Sequence, residues 1–84
     1  MSRFKKLKER LLSEPRDLTF EELEAFLGYL GYRRENKGRT SGSRVSFVNS
    51  EAHMILLHRP HPGNVLPLYQ IKQIIAVLKE EDLI

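Results

Sequence analysis

Apolar side chains recur at helical spacing in three stretches of the chain, and lysine and arginine fill the gaps in the first. That stretch predicts a helix over residues 2–13 whose inner face follows i, i+3, i+7, i+8 spacing: Phe4, Leu7, Leu11 and Leu12. Pro15 is predicted to end this helix, because the residue before a proline is disfavoured in the helical region of backbone space.

The second helix has a clear start signal. Thr19 can accept a hydrogen bond from the amide of Glu22, and the Glu22 carboxylate can reach back to the amide of Thr19. Leu18 is placed to pack on Leu23 as a hydrophobic staple, and Gly31 is expected to close the helix in the left-handed conformation. The predicted inner face contains Phe20, Leu23, Phe26, Leu27 and Leu30.

The third helix is predicted near the end of the chain, over residues 68–79. Between the second and third helices the pattern becomes that of strands, starting with a short, mostly charged edge strand over residues 32–37. The inner face of the third helix is predicted to contain Leu68, Ile71, Ile74, Ile75 and Leu78, with Val77 beside them.

Two apolar runs on either side of the polar residues 49–52 predict a β-hairpin. Since side chains alternate along a strand, Val45 and Phe47 face the core in the first run. The opposite face then contains Arg44, Ser46 and Val48. The second run, residues 54–57, is apolar throughout, which predicts a more deeply buried strand.

These elements predict an α+β fold with the order α-α-β-β-β-α, in which a three-stranded antiparallel sheet has its helices on one face. Eighty-four residues suit one small domain over residues 1–84, and we expect residues 1–14 to form an accessory helix. The chain contains no cysteine and no apolar run near the roughly 20 residues that cross a bilayer. We therefore expect a soluble cytoplasmic protein without membrane partners.

The net charge of +3 is modest, but positive charge is concentrated in two regions. One is the amino terminus; the other lies on predicted loop and strand residues, with only Glu35 against it. Segregated positive charge indicates a nucleic acid or an acidic protein as partner, although a solvated helix face explains the first cluster equally well. The second cluster comprises Arg33, Arg34, Lys37, Arg39 and Arg44.

Three histidines offer candidate chemistry. The spacing of His53, His58 and His61 is weak evidence for a metal site, because neither cysteine nor convergent carboxylates accompany them, and His53 belongs to the predicted hairpin loop. His58 and His61 can act as general acid or base near neutral pH, or can be turn residues bonded to the local backbone. The loop 38–43 can offer amides and a guanidinium to a phosphate.

Four short motifs, taken together in their order along the chain, are more specific than any one of them alone. They are Leu-Gly-Tyr at 30–32, Gly-Ser-Arg at 42–44 with Phe47, His-Pro-Gly-Asn at 61–64, and Leu66 before Ile-Lys-Gln-Ile-Ile at 71–75. This order resembles the HicA toxin family over residues 19–84. The resemblance implies a double-stranded-RNA-binding-domain-like fold, cleavage of messenger RNA, and a HicB antitoxin as partner.

The chain departs from this family at one position. The usual motif is Gly-Ser-His, with the histidine acting in RNA cleavage, whereas Arg44 stands here. Arginine stays protonated and cannot be a general base, but it can bind phosphate and stabilise developing charge. His61 matches the family's second histidine. The resemblance thus implies cleavage without metal or cofactor by Arg44, His61 and His58, with RNA bound by Lys37, Arg39, Ser43, Arg44, Ser46 and Arg59.

Three functions stay open at this point. The first is a HicA-like toxin that cleaves RNA, and the second is a non-catalytic RNA-binding module on the same scaffold, reading phosphates and 2′-hydroxyls. The third is a protein-interaction domain whose basic face meets an acidic partner. Toxicity on expression separates the first from the others, and a salt-dependent RNA affinity separates the second from the third.

Overall fold

The computed structural model of the chain describes residues 2–35, 44–60 and 63–84. A three-stranded antiparallel sheet has the spatial order β1-β2-β3, which confirms the predicted α+β class and the double-stranded-RNA-binding-domain-like order α-β-β-β-α after a first helix. The elements are α1 (Arg3–Leu12), α2 (Phe20–Tyr29), β1 (Arg33–Glu35), β2 (Arg44–Val48), β3 (Met54–His58) and α3 (Leu68–Glu80).

Helix α1 packs on α2 and α3 through one side. Leu7 and Leu11 are buried in the core, and the Phe4 ring stacks on the Phe26 ring at a centroid distance of 5.3 Å. Leu12 was predicted to lie on this inner face, but the prediction is wrong because its side chain is 39% exposed. One residue advances a helix by about 100°, so Leu12 lies well round the helix from Leu11.

The predicted capping box at the start of α2 is confirmed. The Glu22 amide donates to Thr19 Oγ1 at 3.1 Å, and the Thr19 amide donates to Glu22 Oε1 at 3.1 Å. The same carboxylate accepts two hydrogen bonds from Arg10 of α1, from Nε at 2.6 Å and from Nη2 at 3.1 Å. One carboxylate thus both caps α2 and joins it to α1.

This arrangement predicts a pH dependence of stability. The hydrogen bond from Arg10 is the main cause that lowers the pKa of Glu22 below its usual value of 4.5, so the interaction stabilises the fold fully above that pH. The stabilisation is lost as the pH falls through the lowered pKa of the folded state. We expect Glu22→Gln to lower the urea midpoint at pH 7 and to lower it much less at about pH 3.

The matched control is Glu9→Gln, which changes an exposed carboxylate on α1. Its effect on the urea midpoint should be small at both pH values. A loss of stability in Glu22→Gln that is equally large at both pH values would contradict an ionic role for Glu22.

The core lies between the sheet and the helices. The register pairs Phe47 with Ile55 and Val45 with Leu57, and these four side chains point towards the helices as predicted for Val45 and Phe47. The helices add a larger set of buried side chains to this layer: Leu7, Leu11, Phe20, Leu23, Phe26, Leu27, Ile71, Ile74, Ile75 and Leu78. Leu18 and Leu66, which lie just before α2 and α3, are buried with them.

Strand β3 corrects one prediction. Its burial alternates along the strand instead of being continuous, with Ile55 and Leu57 buried and Met54 and Leu56 exposed by 50% and 65%. The reason is the strand's position, since β3 is at the edge of a sheet that has helices on one face only. An uninterrupted apolar run therefore does not mark a strand buried on both sides here.

Helix α3 differs from its predicted inner face at one end. Ile71, Ile74, Ile75 and Leu78 are buried as predicted, but Leu68 is 45% exposed and the prediction for it is wrong. Gln70 is buried in its place with 3% exposure, because it precedes Ile74 by four residues and so lies on the same stripe of the helix.

Tyr32 and His53 connect the hairpin turn to the far end of α3. The Tyr32 hydroxyl lies 2.6 Å from His53 Nδ1, and His53 Nε2 lies 3.9 Å from Glu81 Oε2. Burial raises the pKa of Tyr32, so its hydroxyl keeps the proton that it can donate in this hydrogen bond. As predicted, His53 lies in the connection between β2 and β3.

Gly31 follows α2 with a φ of +93°, which confirms the predicted left-handed cap. The next amide, that of Tyr32, donates to the Leu27 carbonyl at 2.9 Å and so closes the helix end. This turn directs the chain from α2 into β1.

Candidate nucleic-acid interface

One face of the sheet points away from the helices, and we call it the outer sheet face. Register and alternation place Arg44 and His58 at one end of this face, and Arg33 at the other. Arg44, His58 and Arg33 are exposed, while Ser46 is half-buried. The full set on the outer sheet face is Arg33, Glu35, Arg44, Ser46, Val48, Met54, Leu56 and His58.

Arg44 and His58 lie directly opposite each other on neighbouring strands. The amide of Asn49 donates to the carbonyl of His53 at 3.1 Å, and hydrogen-bonded pairs alternate with non-bonded pairs along an antiparallel ladder. Counting along the register makes Arg44 and His58 a non-bonded pair, in which opposite side chains approach most closely. A guanidinium and an imidazole therefore share one end of the outer sheet face.

Gln70 fixes the backbone at His58, and the sequence analysis missed this residue. The His58 amide donates to Gln70 Oε1 at 2.9 Å, and Gln70 Nε2 donates to the His58 carbonyl at 3.1 Å. A buried side-chain amide thus takes the place that a further strand would occupy beside His58. The available signal was a polar residue four positions before Ile74 on the apolar stripe of α3.

We expect Gln70→Leu to lower the free energy of unfolding by about 2 kcal/mol, because the His58 amide and carbonyl lose their partner while the side-chain volume is kept. Urea denaturation measures this change. The matched control is Gln73→Leu, an exposed position one turn further along α3, which should change stability by less than about 0.5 kcal/mol. Equal effects of the two substitutions would show that the amide of Gln70 has no special role.

Arg59 follows β3 and is partly engaged by the start of α2. Its Nη2 lies 3.5 Å from Glu21 Oε2, and its guanidinium carbon lies 5.4 Å from the centre of the Phe20 ring. The Arg59 side chain is nevertheless 51% exposed to solvent. Arg59 can therefore still present charge to a phosphate beside His58.

The second basic cluster differs from its prediction at Arg34. This side chain turns to the helix side of the sheet, where Nη2 binds Glu24 Oε1 at 3.0 Å and the guanidinium lies 5.5 Å from the centre of the Phe20 ring. The prediction that only Glu35 opposes this cluster is therefore wrong. Arg34 is held within the fold and adds little to the outer sheet face.

The segment after the site is bound to the start of α2. The Phe20 amide donates to the Asn64 carbonyl at 2.7 Å, and the Leu66 amide donates to the Leu18 carbonyl at 2.8 Å. The side-chain amide of Asn64 also donates to Glu21 Oε1 at 2.6 Å. These bonds set the path of the chain between the site and α3.

Four predicted site residues lie outside the described residues: Lys37, Arg39, Ser43 and His61. Their roles stay predictions. Of the predicted set, the structure places Arg44, Ser46, His58 and Arg59, and it brings Arg44 and His58 together. Within the described residues, no cluster of three or more histidine, cysteine or acidic side chains could hold a metal ion.

The described helices include none that is both long and apolar enough to span a membrane. The fold and the outer sheet face define a small α+β protein that presents basic and imidazole groups on the sheet face that no described helix covers. A family model described as the HicA toxin of bacterial toxin–antitoxin systems matches residues 20–80, from the start of α2 to the end of α3. The chain belongs to this family and is a toxin of that class.

The matched region begins after α1, so this helix precedes the part that the family model covers. No curated protein and no solved structure gives a significant match to the chain.

Proposed function

We propose that this toxin binds RNA on the outer sheet face and cleaves it with its own side chains, without a metal. The observation that carries the proposal is the pairing of Arg44 with His58, which puts a permanent cation and a titratable ring side by side on an exposed surface. Family membership supports RNA as the substrate, with messenger RNA as its natural form.

In the proposed reaction a base removes the proton of a ribose 2′-hydroxyl, whose oxygen then attacks the adjacent phosphorus. The bond from phosphorus to the 5′-oxygen breaks, and an acid gives that oxygen a proton. The products are a 2′,3′-cyclic phosphate end and a 5′-hydroxyl end. Proton transfer by positioned side chains typically contributes about 10²–10⁴-fold to such a rate.

Arg44 is assigned to the phosphate in this proposal, because a guanidinium binds phosphate oxygens and cannot accept a proton near neutral pH. His58 and His61 are assigned to the two proton transfers. They are three residues apart, so the chain itself keeps their Cα atoms within about 11 Å. Arg59, with Lys37, Arg39, Ser43 and Ser46, is assigned to RNA binding.

A HicB-like antitoxin is the proposed protein partner, as family membership suggests. We infer that it covers the end of the outer sheet face that contains Arg44 and Ser46, which would keep RNA away from the site. The exposure of Arg44 supports this assignment.

A second candidate is a non-catalytic RNA-binding module. It is favoured by Arg44 itself, which stands where the family resemblance places a catalytic histidine. Such a module would hold RNA by charge and shape, and its affinity would fall steeply with salt.

The test is to express the chain alone and together with the antitoxin encoded beside it, and to follow growth and the integrity of cellular RNA. Growth arrest with RNA fragmentation that the antitoxin prevents supports the toxin proposal. Intact RNA, combined with a salt-dependent affinity of the purified protein for RNA, supports the binding module instead. Intact RNA and no RNA affinity would reject both.

A further inference from the structure

Among the described residues, no strand pairs with the outer edge of β3. The strand order places β2 on one side of β3, and the described residues place no strand on its other side. Bonded and non-bonded pairs alternate along the β2–β3 ladder, and Arg44 with His58 is a non-bonded pair. Ser46 with Leu56 and Val48 with Met54 are therefore non-bonded pairs as well. The amides and carbonyls of Met54, Leu56 and His58 therefore point outward, away from β2.

Only one of these three positions has its outward groups occupied by a described residue. Gln70 binds both the amide and the carbonyl of His58, so a peptide-like group already continues the ladder there. Met54 and Leu56 come next along the same edge, and among the described residues their outward groups receive no such contact. The free part of the edge is thus short and has a defined end.

The same two residues expose apolar side chains, with 50% of Met54 and 65% of Leu56 accessible. Beside them a groove of about 400 Å³ separates β3 from α3. Ala76 and Val77 line its helix side with small apolar side chains. An exposed apolar edge strand of this kind is a template for pairing with another strand.

Charges along this edge have opposite signs at its two ends. Helix α3 runs antiparallel to β3, because Gln70 meets His58 at one end while Glu81 lies 3.9 Å from His53 at the other. Exposed Lys72 therefore lies near the His58 end, and exposed Glu80 and Glu81 lie near the Met54 end. Two such edges placed head to tail bring unlike charges together.

We propose that the occupant of this edge is a second copy of the chain, whose β3 pairs antiparallel with the first about a two-fold axis between the two copies of Ile55. The two three-stranded sheets then form one six-stranded sheet. Met54 of each copy lies opposite Leu56 of the other, where the two residues exchange backbone hydrogen bonds and cover each other's side chains.

Two features favour a second copy over an unrelated strand. Gln70 occupies the outward amide and carbonyl of His58, so Met54 and Leu56 are the two edge positions that no described residue occupies. Antiparallel pairing about Ile55 uses both of these positions in both copies. The same axis puts Lys72 of one copy beside the acidic end of α3 in the other, so the surface is complementary to itself in charge. The two Arg44–His58 pairs then lie on the same side of the joined sheet.

The experiment is sedimentation equilibrium of the full chain over about a hundredfold range of concentration. The contact belongs to the small end of the interface size range, so we expect reversible association. The mass should rise from that of one 9.8 kDa chain towards twice that value.

Leu56→Lys should raise the dissociation constant by at least about tenfold, since charge on an edge strand opposes pairing. The matched control, Leu68→Lys, adds the same charge at another exposed leucine and should leave association unchanged.

Leu56→Pro tests the backbone itself. The Leu56 amide points away from β2, so proline there removes an outward donor without breaking the β2–β3 ladder. We expect a chain that keeps the wild-type circular dichroism and no longer associates. The proposal is overturned if the wild type stays at the mass of one chain at every concentration. It is also overturned if Leu68→Lys weakens association as much as Leu56→Lys does.

Discussion

Replacing Arg44 with alanine is expected to lower the rate of RNA cleavage by about 10²–10³-fold, the usual effect of removing one group that stabilises developing negative charge. The loss should appear mainly in kcat, because the charge on the phosphate grows in the transition state. Fluorescent cleavage of a short RNA by purified variants measures the change. Arg33→Ala is the matched control, since it removes an exposed arginine from the far end of the same outer sheet face.

Two further substitutions separate charge from proton transfer. Arg44→Lys keeps the positive charge but not the two-point contact with phosphate, so it should recover only part of the rate. His61→Ala and His58→Ala should each lower the rate by about 10²-fold or more if each ring moves a proton. If the wild type cleaves RNA and His61→Ala cleaves it at the same rate, His61 has no role in the mechanism.

Arg44→His decides between the two candidate functions. If the wild type leaves the RNA intact while Arg44→His cleaves it rapidly, the natural chain is a binding module that lacks one catalytic histidine. Activity in the wild type that falls with Arg44→Ala instead supports the assignment of the guanidinium to the phosphate.

Deleting residues 1–14 is expected to produce the largest loss of stability, without abolishing the fold. The deletion removes Leu7 and Leu11 from the core, and burial of each side chain contributes about 1.5–3 kcal/mol. It also removes the stacking of Phe4 on Phe26 and the bonds from Arg10 to Glu22. A loss of about 3–6 kcal/mol from these two leucines is smaller than most of the 5–15 kcal/mol range typical of a small domain, so the shortened chain is expected to stay folded.

Urea denaturation followed by far-ultraviolet circular dichroism measures this loss. In the full chain, Leu11→Ala should account for about 2–5 kcal/mol, whereas Leu12→Ala at the more exposed neighbouring position should have a small effect. The prediction fails if the truncated chain has no cooperative transition, because α1 would then be needed to complete the core.

Features of the fold that depend on neighbouring residues were predictable from the sequence. Thr19 and Glu22 are three residues apart and form the capping box, and Gly31 supplies a backbone conformation that other residues resist. The alternation of Val45 and Phe47 with polar neighbours placed the core face of β2 correctly. Each of these signals is complete within a few residues.

Features that depend on distant parts of the chain were missed. The apolar run of β3 does not show that this strand lies at the edge of the sheet with one face away from the helices, and that placement leaves Met54 and Leu56 exposed. Gln70 satisfies backbone groups twelve residues away, and Arg34 forms an ion pair with Glu24 of α2 on the helix side of the sheet. Hydrophobic periodicity assigns a polar residue to solvent, so it cannot anticipate a partner that appears only on folding.

The candidate site was predictable in part. Arg44 and His58 were selected from motif and residue type, and the hairpin register is what brings them opposite each other. Phe20, which lies against both Arg34 and Arg59, was predicted only as a core residue. The contributions of Lys37, Arg39 and Ser43 stay predictions, as does that of His61, which His61→Ala tests.

The bonds between residues 63–66 and the start of α2 have a consequence for local unfolding. Phe20 and Leu66 donate their amides across this junction, so α2 cannot fray at its first turn without releasing the chain that leads from the site. Native-state hydrogen exchange should therefore find these two amides in one cooperative unit, opening with the same free energy. Glu22→Gln should speed exchange at Leu66 as well as at α2, because weakening the cap loosens both sides of the junction.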